Sequence, residues 1–145
     1  MNRVVVTGIG VVSPMGDKEK LWKALLNGVS GVSRISRFDA SNLDVQIGAE
    51  VRDFDPTVFM ERKEARRMDR FAQFAVAAAK MSLEDAEMEL PFSKPERVGV
   101  LVGSGIGGIE TVQEQSRVFW EKGADRVTPF FVPMMIPDMA SGQVA

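Results

Sequence analysis

Residues 97–115 read as an apolar strand, a glycine turn and a helix, a unit that belongs to folds alternating strand with helix. Arg97-Val-Gly-Val-Leu-Val102 is a short, nearly continuous apolar run, the pattern of a strand covered on both faces. It leads into Gly103-Ser-Gly105-Ile-Gly-Gly108, after which Ile109, Val112 and Ser116 fall at helical spacing. Gly103, Gly105 and Gly108 spell the dinucleotide fingerprint G-x-G-x-x-G. That fingerprint also needs a pyrophosphate on the helix N-terminus and, about 20 residues on, a strand ending in an acidic residue for the ribose. Here the helix pattern stops near Lys122-Gly123, and Asp125 falls in a loop. Pro129, Pro133 and Pro137 then exclude a central strand, because proline cannot donate to a ladder. The spacing therefore favours glycines required by the backbone over a nucleotide cradle.

Two absences bound the chemistry. The 145 residues include no cysteine and no histidine. That removes disulfides, Cys/His zinc sites, thiolate nucleophiles and imidazole bases, leaving Asp, Glu, Lys, Ser or Thr for any reaction run by these residues alone. Zero cysteine fits a cytosolic protein. A net charge of −2 and a pI near 5.3 argue against nucleic acid as the main partner. No apolar stretch approaches the roughly 18–20 residues of a membrane span, and the N-terminus carries no secretory signal. The length suits one domain with a real core.

Along the chain, Arg3-Val-Val-Val-Thr7 is strand-like by its β-branched content, prolonged through Gly8-Ile-Gly10 to Val12. Gly8 and Gly10 there suggest close backbone approach within or beside a sheet. Asp17 is a candidate N-cap for a helix over Lys18–Leu26 with Leu21, Trp22, Leu25 and Leu26 on one face, ended by Asn27-Gly28. Residues 28–60 are less regular, with Val45–Val51 as a short strand and Asp55-Pro56 or Thr57 opening a helical turn. One long helix is predicted over Arg62–Asp85, apolar nearly all round in its middle and rich in alanine for close packing. Phe130–Ile136 is an apolar run unsuited to water, and Asp138 is placed to cap a helix starting at Met139. That helix stops after roughly two turns at Ala145, so the chain reads as truncated.

The start of the long helix is charged the wrong way. Arg62, Lys63, Arg66, Arg67 and Arg70 crowd a helix N-terminus, where cations oppose the dipole, offset by Glu61, Glu64 and Asp69. Helical spacing puts Lys63, Arg66, Arg67 and Arg70 on one face. Two readings fit: a solvated, self-paired surface turn, or a docking patch for an acidic partner or a phosphate.

Four ordered segments carry a family resemblance: Val5-Val-Thr-Gly-Ile-Gly-Val-Val-Ser-Pro-Met-Gly16, Arg62-Lys-Glu-Ala-Arg-Arg-Met-Asp69, Gly99-Val-Leu-Val-Gly-Ser-Gly-Ile-Gly-Gly108 and Pro129-Phe-Phe-Val-Pro133. Together they resemble the β-ketoacyl-acyl-carrier-protein synthases, and most of all the elongating synthase II branch of bacterial type II fatty acid synthesis. The similarity runs over the whole chain, residues 1–145, which corresponds to an incomplete N-terminal portion of the synthase's N-terminal domain.

The resemblance implies an α/β, thiolase-type fold, five-layered α/β/α/β/α when intact, assembled as a homodimer and cytoplasmic. It implies a condensing enzyme joining fatty acyl and malonyl thioesters presented by acyl carrier protein, with no cofactor, metal, nucleic acid or membrane involved. The family's nucleophilic cysteine and catalytic histidines would lie beyond Ala145, so no catalytic residue falls in this chain. The glycine turn becomes a wall of the acyl pocket. Lys63, Arg66, Arg67 and Arg126 match the family's patch for docking the acidic carrier; Asp125 departs from the basic residue often found beside it. Ile106 matches the residue gating the acyl pocket, and Phe131 one lining it from the dimer interface; plain packing is the alternative for Ile106. A non-catalytic chain-length-factor subunit and a dinucleotide-binding domain are the competing functions.

Overall fold

A computed structural model describes residues 3–145. Helix α1, Lys18–Leu26, begins where expected: the Asp17 carboxylate accepts the Lys20 amide at 3.0 Å. It ends at Asn27, after which Gly28 takes the left-handed conformation at φ +64°. Only Ala24 of this helix is buried. Trp22, Leu25 and Leu26, the expected packing face, are exposed.

Residues 28–52 form a small antiparallel hairpin, β1 (Ser33–Arg34) and β2 (Ile47–Gly48), with Ser33 opposite Gly48 and Arg34 opposite Ile47. The strand expected over Val45–Val51 is thus confined to two residues, and β1 was not foreseen. Side chains hold what the short ladder does not. The Glu50 carboxylate accepts the Ser36 amide and hydroxyl and the Arg37 amide at 2.8–3.1 Å. Arg52 donates to the Ser33 hydroxyl at 2.7 Å and to the Arg34 carbonyl at 2.9 Å. A 3-10 turn over Pro56–Val58 follows, capped by Asp55 as anticipated.

The predicted helix Arg62–Asp85 is two helices. A one-turn α2 (Arg62–Ala65) and a sixteen-residue α3 (Arg70–Asp85) meet at a corner. Asp69 breaks the run by adopting extended backbone (ψ 160°), because its carboxylate caps α3 through the Phe71 amide at 3.4 Å. Gln73 closes the other side, donating its amide to the carbonyls of Ala65 at 2.8 Å and Met68 at 3.2 Å. The Ala65 carbonyl also accepts the Met68 amide at 3.3 Å, which closes the turn at the end of α2.

The centre of the molecule lies along α3. Its Ala72, Val76 and Ala77 are buried, and it packs on α6 (Met139–Val144), whose Ala140, like Ala77, is fully inaccessible. Val76 joins Met60 and Ala65 in the small core, with Phe59, Met68 and Val144 against it. Helix α6 does begin at Met139, but Asp138 makes no side-chain cap bond. On another flank of α3 runs the segment containing Gly8 and Gly10. A β-carbon on Gly10 would lie 1.9 Å from the Ala78 carbonyl oxygen, and one on Gly8 2.1 Å from that of Ser82. The anticipated close approach is therefore to a helix backbone. Asp85 fastens this contact, accepting the Ile9 amide at 2.9 Å and pairing with Lys18. The Lys18 bond, then the Ile9 bond, hold its carboxyl below the ordinary range.

Residues 3–12 and 97–102, expected as strands, form no ladder among the described residues, where the one sheet is the β1–β2 pair. Propensity favours a strand, but a strand exists only with a hydrogen-bonded neighbour. The expected burial of 97–102 on both faces also fails: Leu101 is 98% exposed. Val102 instead donates its amide to the Ser141 hydroxyl. Helix α4 (Ile109–Lys122) follows the glycine turn as predicted and ends at Gly123. A 3-10 turn over Ala124–Arg126 and the short α5 (Phe131–Met135) complete the chain before α6. Among the described residues no helix is long and apolar enough to cross a membrane.

Candidate functional site

The site builds outward from the Asp69 corner. Because α2 is one turn long and stands clear of the core on its outer side, Lys63, Arg66 and Arg67 are exposed. No ion pair joins any of them, or Arg126, to a carboxylate among the described residues. The self-paired reading of these charges is therefore not realised: Glu61 and Glu64 neutralise none of them by contact. Their positive field is free to act on a partner.

Arg67 is the link between this corner and the apolar segment. Its guanidinium sits over the Phe130 ring at 4.6 Å from the centroid, a cation–π contact. That contact sets the exposed cations next to Phe130 and the start of α5, whose first residue is the half-buried Phe131. Arg126 is exposed on the 3-10 turn, and Asp125 beside it stays in a loop-like setting.

Arg70 does not belong with them. The break at Asp69 turns it inward, where it donates to the Val51 carbonyl and lies 4.8 Å from the Phe74 ring centroid and 5.5 Å from that of Phe54. Phe54 meets Phe74 edge-on at 4.8 Å, so the guanidinium is wrapped by rings. Desolvation, reinforced by Arg37, lowers its pKa from the usual arginine value. The expected four-cation face is a three-cation face.

The glycine turn is packed most closely at its C-terminal end. Gly108 donates its amide to the Met135 carbonyl at 2.9 Å, and a β-carbon there would lie 2.2 Å from the Met134 carbonyl oxygen. Gly107, at φ +79°, is as tightly placed against Met135. Gly103 and Gly105 have open space instead. Ile106 lies between the two regimes and is 69% exposed. The turn meets the end of α5 opposite Phe131.

The nucleotide reading fails on a direct observation. The position a pyrophosphate would need, the N-terminus of α4, already holds a carboxylate: Asp69 accepts the Thr111 amide at 2.8 Å and the Thr111 hydroxyl at 2.6 Å. In the sequence Asp69 reads as a charge offsetting its basic neighbours. Its place just before an apolar helical run was the signal for a cap. Among the described residues no group of acidic side chains could hold a metal. An open cleft of about 620 Å³ between residues 11–17, residues 50–55 and α3 contains none of the expected site residues.

Comparison with known proteins gives a consistent picture. The model of the β-ketoacyl synthase N-terminal domain matches residues 1–145. The 3-oxoacyl-[acyl-carrier-protein] synthase 2 of Synechocystis sp. is 45% identical over 144 residues, 99% of this chain and 35% of that protein. A β-ketoacyl synthase from Burkholderia phymatum superposes with a TM-score of 0.81 at 29% identity, covering 99% of this chain and 36% of the other. A chain of the AntDE:AntF complex, a type II polyketide acyl-carrier protein with its ketosynthase bound to the hexaketide, gives 0.81 at 23% identity, covering 99% and 38%. These likenesses assign the thiolase-type α/β fold. The chain spans about a third of the length of the relatives it matches.

Proposed function

The chain belongs to the β-ketoacyl synthase family, matching its N-terminal domain, and we propose on that basis that it forms the first part of a 3-oxoacyl-acyl-carrier-protein synthase. In this reading residues 1–145 are an incomplete N-terminal portion of the synthase's N-terminal domain. The parent is a cytoplasmic homodimer that elongates fatty acyl chains. Loss of CO₂ from malonyl-carrier leaves a carbanion that attacks an acyl-enzyme thioester, and the enzyme's thiolate departs. The thiol is supplied outside this chain, which contains no cysteine.

What these residues contribute is recognition. The carrying observation is the exposed trio Lys63, Arg66 and Arg67, unpaired with carboxylates and joined through Arg67 to Phe130. An acidic carrier meeting that surface is steered by charge, and Arg126 extends the basic area. Ile106 and Phe131 then shape the acyl pocket. The identity of 45% to a synthase 2 favours the catalytic reading over a chain-length-factor subunit.

The test uses the full-length parent with Lys63, Arg66 and Arg67 all changed to Glu. Each rim charge contributes roughly 0.5–1 kcal/mol, so carrier affinity should fall several-fold to a few hundred-fold. The loss should lie mainly in the association rate and shrink as salt rises. Unchanged affinity at low salt would return the trio to a solvated face.

A further inference from the structure

We propose that Asp69 is a positioning residue for acyl chain-length selectivity, acting by fixing the glycine turn that carries Ile106; the selectivity claim rests on the function proposed above. Asp69 is buried and uses both carboxylate oxygens. One accepts the Phe71 amide of α3 at 3.4 Å, and the other the Thr111 amide and hydroxyl of α4 at 2.8 and 2.6 Å. A single negative charge thus sits at the positive ends of a sixteen-residue and a fourteen-residue helix.

The same oxygen that takes Thr111 also bounds the turn. A β-carbon on Gly108 would lie 3.0 Å from it, with the Met134 carbonyl oxygen on another side at 2.2 Å. Gly108 is therefore held between Asp69 and the end of α5, while a β-carbon on Gly103 or Gly105 would meet nothing within 4 Å. Val102 ties the entry of the turn to the Ser141 hydroxyl at 3.2 Å, but Ile106 is only two residues from Gly108 and takes its placement from that nearer end. Because Asp69 follows Arg66, Arg67 and Met68 in the chain, it also ties the surface proposed to meet the carrier to the residue proposed to gate the chain.

An amide cannot replace the carboxylate. Asparagine offers one acceptor oxygen to three donors and presents an NH₂ to one of them. In the full-length parent, Asp69→Asn and Thr111→Val are compared with Thr111→Ser, which keeps the hydroxyl. Two readouts are taken: hydrogen exchange at the amides of residues 107–111, and the ratio of kcat/KM for hexanoyl- and dodecanoyl-carrier. Exchange should quicken about tenfold or more in Asp69→Asn and Thr111→Val, confined to that segment, and stay near wild type in Thr111→Ser. The chain-length ratio should shift roughly three- to tenfold in the first two and be restored in Thr111→Ser. Unchanged exchange at 107–111 overturns the clamp whatever the activity. Faster local exchange with an unchanged ratio overturns the selectivity role. A wild-type parent that condenses neither substrate overturns the proposed function and the selectivity claim together, while exchange still reports on the clamp.

Discussion

At the scale of single residues, two glycines show how closely backbone segments meet here. Replacing Gly10 by Ala drives a β-carbon to 1.9 Å from the Ala78 carbonyl oxygen and 2.7 Å from the Ser82 amide. Neither is a flexible side-chain end, so the segment must lift off α3. We expect Gly10→Ala to cost at least about 1–3 kcal/mol, as overpacking does. Gly99→Ala, with nothing within 4 Å, should stay within about 0.5 kcal/mol. Thermal melting of the 145-residue protein at low concentration checks both, and equal effects would refute the close approach. That Gly8 and Gly10 serve the backbone was readable from their setting in a β-branched run. That their partner is a helix carbonyl was not, because Ala78 lies far away in sequence and its environment leaves no local mark. Asp69 is the same case. Its capping chemistry is a local property, whereas its bond to Thr111 is set by how α3 and α4 come together.

At the scale of elements, the hairpin depends on one carboxylate more than on its ladder. Hydrogen bonds from the Ser36 side chain first, then the Arg37 and Ser36 amides and Arg52, pull the Glu50 pKa from 4.5 down to about 2. A group whose folded pKa is depressed stabilises the folded form above its unfolded value, and that stabilisation drains away as pH falls through the folded value. The 33–52 hairpin should therefore loosen between about pH 4.5 and 2, seen as loss of the Ser36 and Arg37 amide shifts. In Glu50→Gln the loosening should be present already at pH 7 and show no further transition in that window. A pH-independent hairpin in the native chain would contradict this. Elements were legible in proportion to how local their causes are. Helix α1 carries its cap, its periodicity and its terminal glycine within the twelve residues from Asp17 to Gly28. The corner at 66–69 does not: charge and apolar spacing run straight through it, and the break rests on Asp69 and Gln73 finding partners. Segments 3–12 and 97–102 announce strand propensity, but a ladder needs a neighbour that propensity cannot name.

For the molecule as a whole, surface decides behaviour. A compact monomer of this mass exposes roughly 7,400 Å², whereas this chain exposes 11124 Å². The excess is strongly apolar in places: Val4 is 90% exposed and Trp120 82%. The isolated 145-residue protein should self-associate, since segments rich in β-branched residues and without ladder partners invite pairing with other chains. A monodisperse monomer by analytical ultracentrifugation would contradict that. It should also form no β-ketoacyl product from acyl- and malonyl-carrier, having neither thiol nor imidazole; any detectable product would refute the division of labour proposed above. The same open surface has a calorimetric signature. Heat capacity of unfolding follows the apolar area brought into water, and this chain buries only about three quarters of what a compact one of its size would. Its melting should absorb heat over a broad range with a shallow baseline step, and in the longer parent proposed above the step should be steeper than in proportion to the added length.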